Sequence, residues 1–570
     1  MTTYYWVGGA GTWDATTTTH WATSSGGAGS AGVPTATDNV IFNSASNGAA
    51  YAVTIVTGAV CNDCTATAPA TGALTFSGTG TLVISGSWSS VATMSLTGTM
   101  TFNSSNTGNT IQVSANPACS IIFNGTGSWT LLSNFAAAGP LKSIIFTQGT
   151  LNLNNFWLGG YNFNSNNTNT RTINFDTSGY IYYVSTLGQT TNLTWNFTNF
   201  TATGSKRINL SVTGTSASNN PGFSFYNATE ENSFNIDFTG STNTISIFRI
   251  YATGSTGVRD LDLSAYTGNI YDISTLDLPI YGNLILRAST TSYYGISPIM
   301  SSTDAITKKI DFNGRTTSAN FGNGLIILGG GSAGGGSFIS ANTINVTSSA
   351  TKSLNICGGI FNSNNFNVIT NKLNLSSSNT RQIIMGSGEW KINTNDNGTI
   401  SWDCTNSTNL TVTKNTATIN ISTYTSSISS NTIFSGGNTS WPTIKNSCGL
   451  TTLVINGSNS FDNIQKSGAN TNITFEAGTT TSVSGMDING VSGSLSNISS
   501  TISGTRYTLT KIGGGAINTY YLGIKDSIAT GGTWNAYTTN GNIDYGNNSG
   551  WNFSIPIGTF NPGFLSFFDY

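Results

Sequence analysis

Few side chains in this sequence could carry out acid–base chemistry. The 570 residues include 22 acids, six cysteines and a single histidine. Asp260 and Asp262 stand out because alternate residues of a strand point the same way, which would hold two carboxylates about 7 Å apart. That separation suits the paired carboxylates of a glycosidase. The same pattern is also typical of a solvated strand face with Leu261 and Leu263 turned inward.

The remaining reactive residues suggest no catalytic, cofactor or metal site. Glu230 and Glu231 are adjacent and would point to opposite faces of a strand. A Ser-His-Asp triad would have to use His20, the sole histidine. Cys61 and Cys64 form the only close cysteine pair, and zinc needs a second pair of ligands. We therefore expect reduced, unligated cysteines and a non-enzymatic protein.

Aromatic residues near the start are a second kind of candidate. Trp6, Trp13 and Trp21 lie among turn-forming glycines in the first forty residues. An end coil of a solenoid needs a cover, so these rings fit the core of an N-terminal cap. They could instead stack on sugar rings. The candidates for glycan contact are thus Trp6, Trp13, Trp21, Asp260 and Asp262.

A long-range repeat indicates what must position these residues. The stretch 141–156, LKSIIFTQGTLNLNNF, recurs 210 residues later as TKSLNICGGIFNSNNF. The offset holds as far as Arg171 and Arg381. Thr191–Thr194 then matches Thr408–Thr411 at an offset of 217, which predicts a seven-residue loop insertion. A strand-turn-strand block repeated at this distance indicates an array of similar coils.

Short strands with one buried face recur through the chain. Phenylalanines end the strand-like runs at positions 76, 102, 123, 146 and 175, roughly one solenoid coil apart. The pattern predicts an all-β fold, a long parallel, right-handed β-helix with an aromatic N-terminal cap and C-terminal closing coils. Its expected segments are a cap or attachment segment (1–50), a first β-helix block (51–220), irregular central coils (221–340), a second block with closing coils (341–553) and a hydrophobic tail (554–570).

The composition excludes several classes of partner. Only 7% of the residues are charged and the net charge is −2, which offers no electrostatic grip on nucleic acid or anionic lipid. No apolar run is long enough to insert in a membrane. The first residues also lack the pattern of a classical export signal. A solenoid made without export is awkward for a secreted adhesin but natural for a protein released by lysis.

Several runs carry a resemblance to a known group of proteins. The opening YYWVGGAGTWD, the runs NGSNSFDNI and NITFEAGTT, and the stretch 507–534 resemble uncharacterised β-helical virion proteins of marine and environmental tailed bacteriophages. The resemblance implies a non-enzymatic tail fibre, spike or capsid-surface decoration that contacts other virion proteins and, as a candidate ligand, host-surface glycans. Two alternatives remain, a tailspike-like polysaccharide depolymerase and a bacterial surface adhesin.

The C-terminal tail is the candidate assembly segment. Pro556 and Pro562 disfavour a regular helix or a central strand there. Its phenylalanines would be unstable in water and should be buried against the chain itself or a partner. The resemblance favours a homotrimer in the virion, assembled in the host cytoplasm and extracellular after lysis. The assembly candidates are Phe560, Phe564, Phe567 and Phe568.

Overall fold

The protein is all-β. The computed structural model describes residues 1–139, 141–186, 192–213, 222–238, 247–250, 256–266, 269–272, 277–288, 296–315, 321, 324–329, 335–347, 353–394, 400–423, 431–448, 452–467 and 471–554. In these ranges the only helical element is a 3-10 turn at Thr538–Asn540, and no helix is long and apolar enough to cross a bilayer. The four tail phenylalanines lie outside the described residues.

The chain forms two compact units. Unit 1 comprises Met1–Ser302, Lys308–Thr316 and Asn320–Gly322, and unit 2 comprises Thr303–Thr307, Thr317–Ala319 and Asn323–Tyr570. The division falls within the predicted central block, 221–340. The predicted segment boundaries themselves stay a prediction.

Unit 1 contains strands β1 to β33 and all of β34 except its first residue, Thr307. In chain order they are Thr3–Trp6, Gly11–Trp13, Trp21–Ala22, Asn39–Phe42, Tyr51–Ile55, Ala59–Cys61, Cys64–Ala66, Leu74–Gly78, Leu82–Ile84, Trp88–Ser90, Thr93–Leu96, Thr99–Phe102, Asn109–Val113, Ser120–Phe123, Ser128–Leu131, Phe135–Ala137, Ser143–Phe146, Gly149–Asn152, Trp157–Gly160, Asn162–Ser165, Arg171–Asn174, Tyr180–Thr186, Asn192–Asn196, Phe200–Thr203, Arg207–Thr213, Gly222–Tyr226, Asn235–Phe238, Ile247–Ile250, Leu261–Asp262, Asn269–Asp272, Asp277–Ile280, Leu284–Ile285, Ser297–Met300 and Thr307–Asp311.

The coils of unit 1 up to β24 contribute strands to three stacked sides, and β31 and β33 pair in a further parallel sheet. One sheet runs β6-β9-β12-β14-β17-β20-β23-β26-β28-β30, and a second runs β3-β1-β4-β7-β10-β13-β15-β18-β21-β24. The third side is β2-β5-β8-β11 in the first coils and β16-β19-β22-β25-β27-β29-β32-β34 in the later ones. Among these pairings only β1 with β3 is antiparallel. The predicted parallel β-helix is therefore confirmed as an architecture, while its handedness and caps stay predictions.

Unit 2 contains strands β35 to β63, which stack in the same way. In chain order they are Gly324–Ile327, Ser337–Ser340, Ile344–Val346, Ser353–Ile356, Gly359–Asn362, Val368–Thr370, Lys372–Asn374, Arg381–Ile384, Glu389–Thr394, Ile400–Asp403, Leu410–Thr413, Thr418–Thr423, Thr432–Ser435, Ser440–Trp441, Thr443–Ser447, Thr452–Asn456, Ser460–Phe461, Ile464–Lys466, Asn472–Phe475, Thr480–Val483, Met486–Asp487, Ser496–Ser500, Tyr507–Lys511, Ala516–Asn518, Leu522–Ile524, Ser527–Thr530, Thr533–Asn535, Ile543–Asp544 and Trp551–Asn552.

The core follows from the alternation in the sequence. Phe102, Phe123 and Phe146 occupy one position on three successive coils, as predicted, with ring centroids 5.0 and 6.4 Å apart. The other two phenylalanines do not share that position. Phe76 lies in β8, which belongs to a different sheet, and Phe175 directly follows β21. All five rings are fully buried. Burial of one such ring contributes roughly 1.5–3 kcal/mol.

The repeat continues further than the sequence indicated, so the predicted slip to an offset of 217 is wrong. Arg171 pairs in register with Phe200, and Arg381 pairs with Leu410, which keeps the offset at 210. Strand β24 therefore corresponds to β45. The apparent match of Thr191–Thr194 arose because short runs of Thr and Asn recur often in this composition.

Candidate functional site

A polar groove lies on the outward face of unit 1. It crosses β15, β18, β21 and β24, which stack in parallel register, and its volume is about 680 Å³. A volume in this range suits a small ligand or a short stretch of a polymer. The lining residues are Thr130, Asn152, Asn154, Asn174, Asp176, Thr177, Thr203, Gly204 and Ser205.

Four side chains on successive coils form a hydrogen-bonded ladder in the groove. The Nδ2 of Asn152 donates to Thr130 Oγ1 at 3.2 Å, and Asn174 donates in turn to Asn152 Oδ1. Thr203 Oγ1 then donates to Asn174 Oδ1 at 2.8 Å. Each bond fixes the orientation of the next amide, because the strands are about 4.8 Å apart. The ladder is therefore preorganised rather than free to rotate.

Asparagines also turn the chain at one edge of the groove. Asn154 and Asn155 have φ of 49° and 66°, a left-handed conformation that asparagine tolerates better than most residues. Asn155 Oδ1 accepts hydrogen bonds from the Thr177 hydroxyl and from the backbone N–H of Ser178, at 2.9 and 3.0 Å. These bonds join the corner to the next coil. The edge of the groove is thereby held in place.

A second depression lies on the same sheet. Its volume is about 440 Å³, and Thr150 and Thr172 on its floor occupy adjacent positions of β18 and β21. Hydroxyl and amide groups dominate both depressions, and Asp176 is the one charged residue that lines either of them. The surface therefore suits a neutral ligand rich in hydrogen-bonding groups. The second depression is lined by Thr126, Gln148, Gly149, Thr150, Thr168, Asn169, Thr170 and Thr172.

Unit 2 repeats the scaffold of the groove without its full ladder. At the offset of 210 residues, Asn174 corresponds to Ile384, which also faces outward from its strand. Asn152 corresponds to Asn362 and Thr203 to Thr413, so these two ladder positions are kept and the one between them is lost. The scaffold thus accepts isoleucine where unit 1 has Asn174. The fold alone does not require the ladder.

The predicted glycan contacts Trp6, Trp13 and Trp21 are fully buried. Trp21 packs edge-on against both other rings at centroid distances of 5.0 and 5.3 Å, and Trp6 stacks on His20 at 4.7 Å. Their positions match the alternative of a packed aromatic core at the first coil. In this structure no face of these three rings is open to a ligand, so they do not belong to the groove.

The predicted pair Asp260 and Asp262 also lies outside the groove, in and next to β29. Asp260 Oδ1 accepts from the backbone N–H of Asn283 at 2.6 Å, and Asp262 Oδ1 accepts from the N–H of Ser264 at 2.8 Å. Both carboxylates therefore serve local backbone bonds. Asp237 pairs in register with Asp262 and forms an ion pair with Arg207 at 2.5 Å. Burial raises the pKa of Asp237, and Arg207 opposes that shift.

The cysteines are free thiols. Five are buried and Cys357 is half-buried. Burial raises the pKa of Cys119 to about 12 and that of Cys404 to about 11. Within the described ranges, no three His, Cys, Asp or Glu side chains are grouped so as to hold a metal ion. These thiols have the environment of core residues.

The ladder and the half-buried Trp157 were not predicted from the sequence. Of the twelve tryptophans, eleven are buried and Trp157 is only half-buried. The period-2 pattern could have identified it, since an inward Leu158 in β19 turns Trp157 outward. The ladder needs the register between coils, with Asn152 directly beside Asn174. That register cannot be predicted from the sequence until the length of each corner is known.

Comparisons with models of protein families, with curated proteins and with solved structures found no match. The polar groove of unit 1 is the feature of the described structure that bears on a ligand.

Proposed function

We propose that this chain is a non-enzymatic structural protein of a phage virion, a tail fibre, spike or surface decoration, and that its groove in unit 1 contacts a neutral host-surface glycan. The observation that carries the glycan proposal is the ladder from Thr130 through Asn152 and Asn174 to Thr203. The virion setting rests on the sequence resemblance. Both parts are open to separate tests.

A neutral glycan fits the groove because sugar hydroxyls both donate and accept hydrogen bonds. Amide and hydroxyl side chains offer both roles as well. Since the ladder is already oriented, a glycan would not have to order these side chains on binding, which reduces the entropic cost. An anionic polymer is disfavoured because Asp176 is the only charged residue among the described residues of the lining. Unit 2 supports a functional role, because Ile384 replaces Asn174 on the same scaffold.

The depolymerase alternative is weaker on the same geometry. Cleavage of a glycosidic bond uses two carboxyl groups on either side of the scissile bond. The groove offers one, Asp176. The acids Asp260 and Asp262 lie on a different sheet and bond to backbone groups. A bacterial adhesin could use the same groove, and electron microscopy of virions labelled with an antibody against this chain separates that alternative from the virion protein.

Binding to an array of immobilised neutral and acidic oligosaccharides tests the glycan proposal. We expect wild type to bind neutral members and Asn174→Ile to lose about tenfold or more in affinity. The substitution copies Ile384, so the scaffold should fold normally. Asn535→Ala is the matched control, because Asn535 belongs to an amide ladder with Asn518 and Asn552 in unit 2. Equal binding by both variants and the wild type would rule out the groove.

Other virion proteins and further copies of this chain are the proposed partners. The basis is the resemblance together with the hydrophobic tail. A trimer is the favoured state, and the tail phenylalanines are its candidate contacts. Extracellular release by lysis completes the proposal.

A further inference from the structure

Three aromatic side chains form an outward platform on the sheet next to the groove. Trp157 of β19 lies in register with Tyr180 of β22, and Tyr182 lies in register with Gly159. A Cβ at Gly159 would come within 2.2 Å of the Tyr182 carbonyl oxygen, so only glycine fits there. The Tyr182 ring reaches across to Trp157 at a centroid distance of 5.4 Å and contacts Tyr180 at 6.4 Å. The tryptophan is therefore held by its neighbours.

A small cavity opens beside this tryptophan. Its volume is about 300 Å³, at the lower end of the range for small-ligand pockets. No charged side chain lines it. Its lining residues are Val113, Ser114, Asn116, Ser133, Asn134 and Trp157.

Two amides in the cavity have their oxygens engaged and their nitrogens available. Asn134 Oδ1 accepts from the backbone N–H of Trp157 at 3.2 Å, and Asn116 Oδ1 accepts from the N–H of Ala136 at 3.0 Å. Because each oxygen is fixed in this way, the orientation of each amino group is fixed too. Within the described part of the chain, neither Nδ2 has a hydrogen-bond acceptor.

We propose that this cavity binds one neutral pyranose ring of a glycan. The apolar face of the sugar stacks on Trp157, whose ring is amphipathic, and sugar oxygens accept from the Nδ2 of Asn116 and of Asn134. The inference rests on the glycan part of the proposed function and adds a second contact to it. In the chain, the corner at Asn154 and Asn155 separates the groove strand β18 from Trp157, so one glycan could extend from the groove around this corner.

The scaffold does not account for the tryptophan. At the offset of 210, Trp157 corresponds to Asn367, an exposed residue at the same place after the corner Asn364 and Asn365. That corner has φ of 52° and 65°, close to the values of Asn154 and Asn155. The same backbone thus carries a polar residue in unit 2. A large apolar side chain at position 157 needs another reason, and stacking on a ligand supplies one.

Fluorescence quenching tests the proposal directly, because Trp157 is the tryptophan most open to a water-soluble quencher. The probes are hexasaccharides of glucose, mannose and galactose. We expect at least one probe to shield wild-type fluorescence from acrylamide. The Trp157→Asn variant, which copies unit 2, should lose the quenchable component and bind that probe about tenfold more weakly. Tyr520→Ala, which removes an exposed aromatic in unit 2, is the matched control and should bind as wild type.

A second variant distinguishes the loss of a ligand contact from a loss of protein stability. Asn134→Asp keeps an oxygen for the N–H of Trp157 but removes the amide donor, so affinity should fall with an unchanged melting temperature. The proposal is overturned if no probe shields Trp157, or if Trp157→Asn and Asn134→Asp both bind like wild type. If only Asn174→Ile loses binding, the groove binds the glycan and the cavity does not. If only the two cavity variants lose binding, the cavity binds the glycan and the groove does not.

Discussion

Arg171 and Arg381 make the same four main-chain contacts, each within its own unit. Both are fully buried, and both guanidinium groups donate to carbonyl oxygens two and six residues earlier and 25 and 27 residues later. The charge is thus solvated by backbone oxygens of two coils. Burial lowers the pKa of Arg171 to about 10. The repeat preserves these guanidinium hydrogen bonds in both units, while the outward residues of the same strands differ.

Removal of the buried guanidinium group of Arg171 should destabilise unit 1. Arg171→Met removes the guanidinium donor from four buried or partly buried carbonyl oxygens, and an unsatisfied buried acceptor costs about 1–3 kcal/mol. We expect a decrease of at least about 3 kcal/mol in the free energy of unfolding, measured by urea denaturation. Arg207→Gln is the control, because its side chain is 54% exposed and its ion pair should contribute about 1 kcal/mol or less. Equal urea midpoints for Arg171→Met and Arg207→Gln would contradict the structural role of Arg171.

The acids predicted as a catalytic pair should be dispensable for glycan binding. Asp260→Asn with Asp262→Asn leaves the groove intact and keeps an oxygen for the Asn283 N–H. We expect unchanged binding of neutral oligosaccharides. The comparison is Asp176→Asn, which changes the acid in the groove lining. If wild type shortens host polysaccharide and the double variant does not, the depolymerase alternative is correct instead.

The thiols should be inert in the folded protein. Burial raises the pKa of Cys404 to about 11 and that of Cys119 to about 12, so both stay protonated below that range, and only the thiolate reacts. With an aromatic disulfide reagent at about pH 8, near the pKa of a free thiol, we expect at most Cys357 to react in native protein. All six should react in denaturant. Rapid native reaction of two or more cysteines, or stoichiometric zinc, would refute this.

The tail prediction concerns assembly. Deletion of residues 554–570 should leave the β-helix folded, because those residues follow the last described strand, Trp551–Asn552. Assembly or incorporation into virions should be lost. Sedimentation velocity and circular dichroism of the truncated protein give both readouts. An unfolded monomer would mean that the tail is only an end cap.

The sequence predicted the scaffold better than the site. Alternating apolar residues predicted the strands, and the recurrence of Phe102, Phe123 and Phe146 predicted the coil length, because both patterns are periodic along the chain. The ladder depends on contacts between Asn152 and Asn174 on adjacent coils, which are separated in the chain by a full coil with corners of irregular length. Trp6, Trp13 and Trp21 were ambiguous because aromatic composition does not distinguish a buried cluster from a ligand platform.

The most direct test of the groove is incubation of purified protein with the surface polysaccharide of the host, with bound fraction and polymer size measured in the same sample. We expect wild type to retain the polymer and Asn174→Ile to lose it, with polymer size unchanged in both. No retention by wild type, equal retention by the variant, or shorter polymer after incubation would contradict a non-enzymatic, glycan-contacting groove.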